Sequence, residues 1–362
     1  MRSVIIFIGC LLLSGCCSKI GPQTVPCDSL AYNKAIQSSV DSQLLLNIVR
    51  LRYRDTPTFL QVGTVTSSYE FKRSASGELK LSDKTGENIA FTPKIGVDHT
   101  EKPTTIYQPL RGESFVKEML SPIPLQTMTL LKISGWRIDR ILRSCVQRMN
   151  TIQNAPSASG PTPETVPLYR DFLELAWLFR ELELQDAVDF VPEKESESGQ
   201  VHFALVLDKK LADPSVLNRI WQLLDLEEGA DHIRLVPYHG KKHHGNEVVV
   251  DMRSPLSIFY FLSQGVHVPS RDEMWGKVTV TADDQGNRFD WGNVLDGLLT
   301  IHSGPRQGRE PAILVNYRGV DFYIDDSDLS SKSTFSLLSQ LLALQTRTPE
   351  IPAPLLTIPI SN

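Results

Sequence analysis

The sequence predicts an α+β protein of two closely associated lobes with mixed or antiparallel sheets. Three observations lead there. Stripes of helical period and short β-branched or aromatic runs are interspersed along the whole chain. Residues 153–164, QNAPSASGPTPE, hold proline, glycine, serine and alanine with no apolar period, so they predict a linker or exposed loop between lobes 39–152 and 165–362. The order β-α-β-β-α-β over 201–281 matches the split βαβ unit and is assigned to the C-terminal lobe.

Residues 16–38 are polar and lack a clear period, which predicts a tether. Val40 to Tyr53 follows as a helix, with Leu44, Leu45, Ile48, Val49 and Leu51 on one face and arginines in its last turn. Phe59 to Phe71 reads as strand with Gly63 a candidate bulge. Ser74 to Gly77 then predicts a turn into a second short strand, Glu78 to Ser82, with weak signals to Gln108. Three helices are expected over Gly112–Leu120, Pro124–Ser134 and Arg137–Met149, the second ended by Gly135.

Leu168, Phe172, Leu175, Phe179 and Leu182 mark the cleanest amphipathic helix, Val166–Gln185. Strand Val201–Leu207 precedes a helix opened by Asp213-Pro214, a favoured N-cap and N1 pair. Strands Ile233–Tyr238 and Glu247–Met252 flank a turn. Ser254-Pro255 opens the next helix, Gly265 ends it, and Lys277–Thr281 supplies the last strand of the unit. Leu298–His302, Ala312–Tyr317 and Val320–Ile324 read as strands, the last two joined tightly at Arg318-Gly319. A final helix is expected over Ser331–Gln345, with an extended tail from Pro349 to Asn362.

The N-terminus carries the firmest functional signal. Met1-Arg2 is basic, Val4–Leu13 is apolar, and Ser14-Gly15-Cys16 follows. The run is shorter than the roughly 20 residues of a membrane span and suits a secretory signal. It resembles the bacterial lipoprotein signal, which implies cleavage after residue 15 and lipid on Cys16. The acyl chains, at about 0.8 kcal/mol per buried methylene, then hold the chain to a membrane. By the same resemblance, Cys17 rather than aspartate after Cys16 favours the outer membrane. Loss of Arg2 with the signal leaves 36 basic and 42 acidic residues, a balance that argues against nucleic-acid binding. Of the remaining cysteines, Cys17 and Cys27 are placed for a disulfide near the anchor, and Cys145 lies on an apolar stripe as a small hydrophobe.

Candidate chemistry is sparse. Ser114 and Lys117 fit S-x-x-K, and Lys84-Thr85-Gly86 fits K-T-G, but their order is the reverse of the penicillin-binding pattern. His239, His243 and His244 share a turn with Lys241 and Lys242, so a solvated basic loop is expected rather than a metal site. Asp325, Asp326 and Asp328 precede the last helix and are assigned to capping rather than to calcium. Ser303–Arg309 is a glycine-containing basic loop with no helix start behind it to complete an anion cradle. No catalytic, cofactor or metal residue is assigned, and lipidation at Cys16 is the one site named.

QLLLNIVRLRYRDTPTFL (43–60), PTTIYQPLRGESFVKEML (103–120), SGWRIDRIL (134–142), SPLSIFYFLSQGVHVP (254–269) and YRGVDFYIDDSDLSSKSTFSLLSQLLALQ (317–345) together resemble a family of predicted lipoproteins of Gram-negative bacteria. The resemblance implies envelope location and brings no catalytic residue with it. The expected function is a non-enzymatic envelope lipoprotein that binds a partner protein or supports envelope assembly. The alternative is a periplasmic hydrolase acting on cell-wall or lipid material.

Overall fold

The structure, a computed structural model, describes residues 20–80, 90–194, 201–238, 245–306 and 308–345. It is α+β, with one mixed and two antiparallel sheets. Cys16, the expected lipidation site, and Cys17 lie outside the described residues. The chain divides into a hairpin unit, Thr58–Gly112, and a larger unit formed by what precedes and follows it.

The larger unit opens with α1, Ile20–Arg52. The helix begins well before Val40, so the stretch read as an irregular tether is helical from Ile20. Its early part carries Pro22 and Pro26 and no apolar stripe. Only the last third, with Leu44, Leu45, Ile48, Val49 and Leu51 all buried, carries the pattern that identifies a helix. Helices α2 (Glu113–Leu120), α3 (Leu125–Ile133) and α4 (Ile138–Cys145) follow. Gly135, at φ +85°, ends α3 as expected. Helix α4 stops at Cys145, and Val146–Met149 continues as strand β3 instead of extending the helix to Met149. The apolar spacing there fits both periods; antiparallel pairing of β3 with a later strand decides it.

Strand β4 (Ile152–Gln153) and a 3-10 turn (Pro156–Ser159) lead to α5, Arg170–Leu184. Phe172, Leu175, Phe179 and Leu182 are buried as the stripe predicts, while Leu168 is exposed. Then come β5 (Val188–Lys194), β6 (Val201–Leu207), α6 (Pro214–Leu224), β7 (His232–Pro237), β8 (Glu247–Met252) and α7 (Pro255–Ser263). Both helix-opening devices form: Asp213 Oδ1 accepts from the Ser215 N–H, and Ser254 Oγ from that of Ser257. Short helices α8 (Ser270–Met274) and α9 (Gly292–Leu295) precede β9 (His302–Ser303), β10 (Pro311–Tyr317), β11 (Val320–Asp325) and α10 (Leu329–Gln345). Arg318 and Gly319 both take positive φ, the requirement of a two-residue hairpin turn.

Six strands form one sheet in the order β4-β3-β8-β7-β6-β5, and β10-β11-β9 form another. Two expectations are corrected here. The βαββαβ unit is not completed: β7 and β8 lie parallel, and 277–281 forms no strand. The division at 153–164 also fails, because the large sheet takes β3 and β4 from before it and four strands from after it. That segment is packed, with Asn154, Ala155 and Ala158 buried. The reason is Arg253, which is 1% exposed. Its guanidinium donates to the carbonyls of Arg143, Ser144, Val146 and Asn154 and to Ser159 Oγ, and stacks 3.9 Å over Phe261. A polar segment with no apolar period is thus held by a buried cation, a partner that periodicity does not register.

The core centres on α7. Ile258, Phe259, Phe261 and Leu262 are buried, and the helix contacts α1, α2, α4, α10 and the 3-10 turn. Each such side chain contributes about 1.5–3 kcal/mol on burial.

The hairpin unit is built from β1 (Leu60–Lys80) and β2 (Ala90–Pro109), paired antiparallel from Leu60↔Pro109 to Lys80↔Ala90. One register shift, between Val62 and Val65, brackets Gly63 and matches the expected bulge. The turn expected at Ser74–Gly77 does not form; β1 runs through it. Ser and Gly signal a turn locally, but nineteen cross-strand pairs with β2 override them.

Candidate arginine-lined recess

The end of α1 is fixed to the distant C-terminal part of the larger unit. Arg52 Nη1 donates to the Thr279 carbonyl (2.9 Å), Tyr53 Oη to Asp272 Oδ2 (2.9 Å) and Arg54 Nε to Thr279 Oγ1 (2.8 Å). Asp55 accepts from Tyr317 Oη and Arg318 Nη2. Asp272 is buried and also pairs with Lys277 Nζ at 2.6 Å. The Lys277 and Tyr53 hydrogen bonds hold its carboxyl below the usual carboxylate range.

This anchoring places Arg52 on a recess of about 660 Å³. Arg143 of α4, Trp177 of α5, Gln264–His267 after α7 and residues 288–300 complete the walls. Gly265 admits no side chain: a Cβ would meet the Leu299 carbonyl oxygen at 2.4 Å. Arg52 and Arg143 are both buried, and among the described residues neither makes an ion pair. Arg143 Nη2 donates to the carbonyls of Val294 (3.0 Å) and Asp296 (2.7 Å). Among the described residues, the Nε atoms of both arginines and Gln264 Oε1 are buried without a hydrogen-bond partner. Burial pulls Arg52 down to about 10 and lowers Arg143. Arg288, by contrast, is held by Glu273 in two 2.7 Å bonds.

Buried cations normally take a carboxylate partner, and an unused donor in low dielectric is costly. The recess is therefore chemically suited to an anionic group, with two arginine edges to bind it and Trp177 beside Arg143 to flank it. Asp290 and Asp296 on the wall set a limit on how much negative charge it accepts. His267 also lines it, and burial lowers its pKa. No serine or cysteine is among the lining residues.

The residues singled out in the sequence lie elsewhere. Asp328 caps α10, accepting from the Ser331 N–H (3.0 Å) and Oγ (2.5 Å), while Asp325 accepts from Ser327 and Asp326 pairs with Lys332. Ser114 and Lys117 sit on α2, with Ser114 Oγ 3.5 Å from Glu118. Lys84-Thr85-Gly86, His239, His243 and His244 lie outside the described residues. In the 303–309 loop, Arg309 reaches Asp325 at 3.5 Å, an intramolecular pairing. Cys145 is fully buried, and burial pushes its thiol up to about 12. Among the described residues no His, Cys, Asp and Glu cluster is placed to hold a metal, and no helix is long and apolar enough to cross a membrane. Sequence reasoning missed Arg52, Arg143 and Arg253. Their charge leaves no distinguishing mark in the sequence: α4 alone carries Asp139, Arg140 and Arg143, and every residue of it is buried.

No family model matches the chain, and neither a curated protein nor a solved structure does.

Proposed function

We propose that this chain is an envelope lipoprotein, anchored by lipid on Cys16, whose body binds a partner protein by receiving an acidic group of that partner in the Arg52–Arg143 recess. The carrying observation is a pair of buried arginines that line one cavity and, among the described residues, make no ion pair. Each charge-assisted hydrogen bond that a carboxylate or phosphate makes there contributes about 1.5–3 kcal/mol. A partner-binding role has more support than a hydrolase because the recess offers two buried cations to an anionic group. The anchor rests on the signal sequence alone.

The recess is tested by NMR of the arginine Nε–Hε resonances while acetate and then phosphate are added. Saturable shifts confined to Arg52 and Arg143, lost in Arg143→Met, are expected. Absence of any shift sinks the recess. For the anchor, Cys16→Ser should abolish palmitate labelling; labelling that persists at the wild-type level excludes the lipid assignment.

A further inference from the structure

The hairpin unit ends with two edges that are not equivalent. Among the described residues no third strand pairs with β1 or β2. A two-stranded sheet of this kind is marginal alone in water, and long open edges are features that proteins manage. Strand β2 carries Pro93 and Pro103 within it and Pro109 at its end; β1 carries no proline. From Val65↔Thr105 to Lys80↔Ala90 the register runs without a shift. Backbone groups therefore alternate regularly between the inner ladder and the outer edge.

A proline within a sheet sits where its missing N–H faces away from the partner strand. Pro93 and Pro103, both at odd-numbered positions, thus place the odd positions of β2 outward. Through the pairs Gly77↔Pro93 and Ser67↔Pro103, the odd positions of β1 are outward as well. The outer edge of β2 is interrupted at two of its own donor positions. That of β1 keeps a donor at every odd position from Ser67 to Leu79.

We propose that β1 pairs antiparallel with β1 of a second copy of this chain, closing a four-stranded sheet in the order β2-β1-β1-β2. A two-fold pairing matches odd positions with odd and even with even. The row of Tyr69, Phe71, Ala75 and Leu79, beside Phe91, Ile95 and Val97 of β2, then continues on one face of the sheet. The even row is polar throughout β1 from Thr66 to Lys80. Centred on Phe71, the pairing sets Glu70 opposite Lys72 of the copy, twice by symmetry, and opposite charges across strands are favourable. This self-complementarity selects a second copy over an unrelated strand, and the proline-interrupted β2 edges end the sheet at four strands.

The test is sedimentation of the full chain, purified from membranes in density-matched detergent. The wild type is expected to form a concentration-dependent dimer. Phe71→Pro removes an outward donor and leaves the inner ladder intact, so it should weaken the dimer roughly tenfold or more relative to Phe71→Ala, which keeps the N–H. Pro93→Ala with Pro103→Ala restores the β2 edge and should yield species larger than the dimer. Phe71→Cys should form an intermolecular disulfide on oxidation. A monomer at all concentrations, equal dimerisation of Phe71→Pro and Phe71→Ala, or a different protein bound along β1 in place of the copy overturns the proposal.

Discussion

Replacing Arg253 with methionine examines the device that holds residues 153–164 in the fold. Methionine keeps much of the aliphatic volume and loses every donor. The carbonyls of Arg143 and Val146 retain a second donor in Asn154 Nδ2, at 2.9 and 2.7 Å. The loss therefore falls on the Ser144 and Asn154 carbonyls, each costing about 1–3 kcal/mol when buried without a partner. The contact with Phe261 adds about 1 kcal/mol. Against this stands relief from burying a charge whose pKa is pulled down to about 9 and which, among the described residues, makes no ion pair. The net expectation is a destabilisation of about 3 kcal/mol. Equilibrium denaturation in urea, followed by tryptophan fluorescence and far-UV dichroism, measures it. Arg253→Met combined with Asn154→Ala should cost clearly more than the two single losses added, because either side chain alone still satisfies the Arg143 and Val146 carbonyls and the double variant leaves both bare. A loss under about 1 kcal/mol, or full additivity, refutes the role given to Arg253.

Two further outcomes follow from buried groups. Asp272 has its carboxyl held low in the fold, so the unfolded chain binds its proton more readily; its contribution is complete above the unfolded value near pH 4 and disappears as pH falls through the folded value. Asp272→Asn should cost about 2 kcal/mol at pH 7 and flatten the acid limb of stability against pH, which denaturation midpoints between pH 2 and 7 would reveal; an unchanged acid limb rules this out. Cys145, with its thiol raised to about 12, should resist iodoacetamide in the native protein and react on unfolding, as mass spectrometry of digests would show. Modification at equal rates in both states contradicts the burial.

How much the sequence disclosed depended on which partners fixed each element. Elements stabilised by their own stripe or cap were legible: α5 from Phe172 to Leu182, α6 from Asp213-Pro214, α7 from Ser254-Pro255, and the β10–β11 turn from Arg318-Gly319. Elements decided by distant partners were not. β3 carries apolar spacing that suits a helix, and only its pairing with β8 makes it a strand. Residues 29–40 of α1 are exposed or half-buried and have no buried face to leave a trace. The recess was illegible for a related reason. Arg52 and Arg143 lie far apart in sequence on helices that carry other charges, Arg50 and Asp139 among them, so neither stands out until folding removes its solvent.

The pinning of α1 also sets an order of events. Ribosomes deliver the chain from its N-terminus, so Leu44, Leu45, Ile48, Val49 and Leu51 emerge among the earliest apolar residues. The surfaces they pack against, α7 and β10, arrive only with residues 255–317. The bonds from Tyr53 to Asp272 and from Arg318 to Asp55 span 219 and 263 residues. The first helix made is thus among the last to be secured, and its apolar stripe stays without these partners until nearly the whole body has been synthesised.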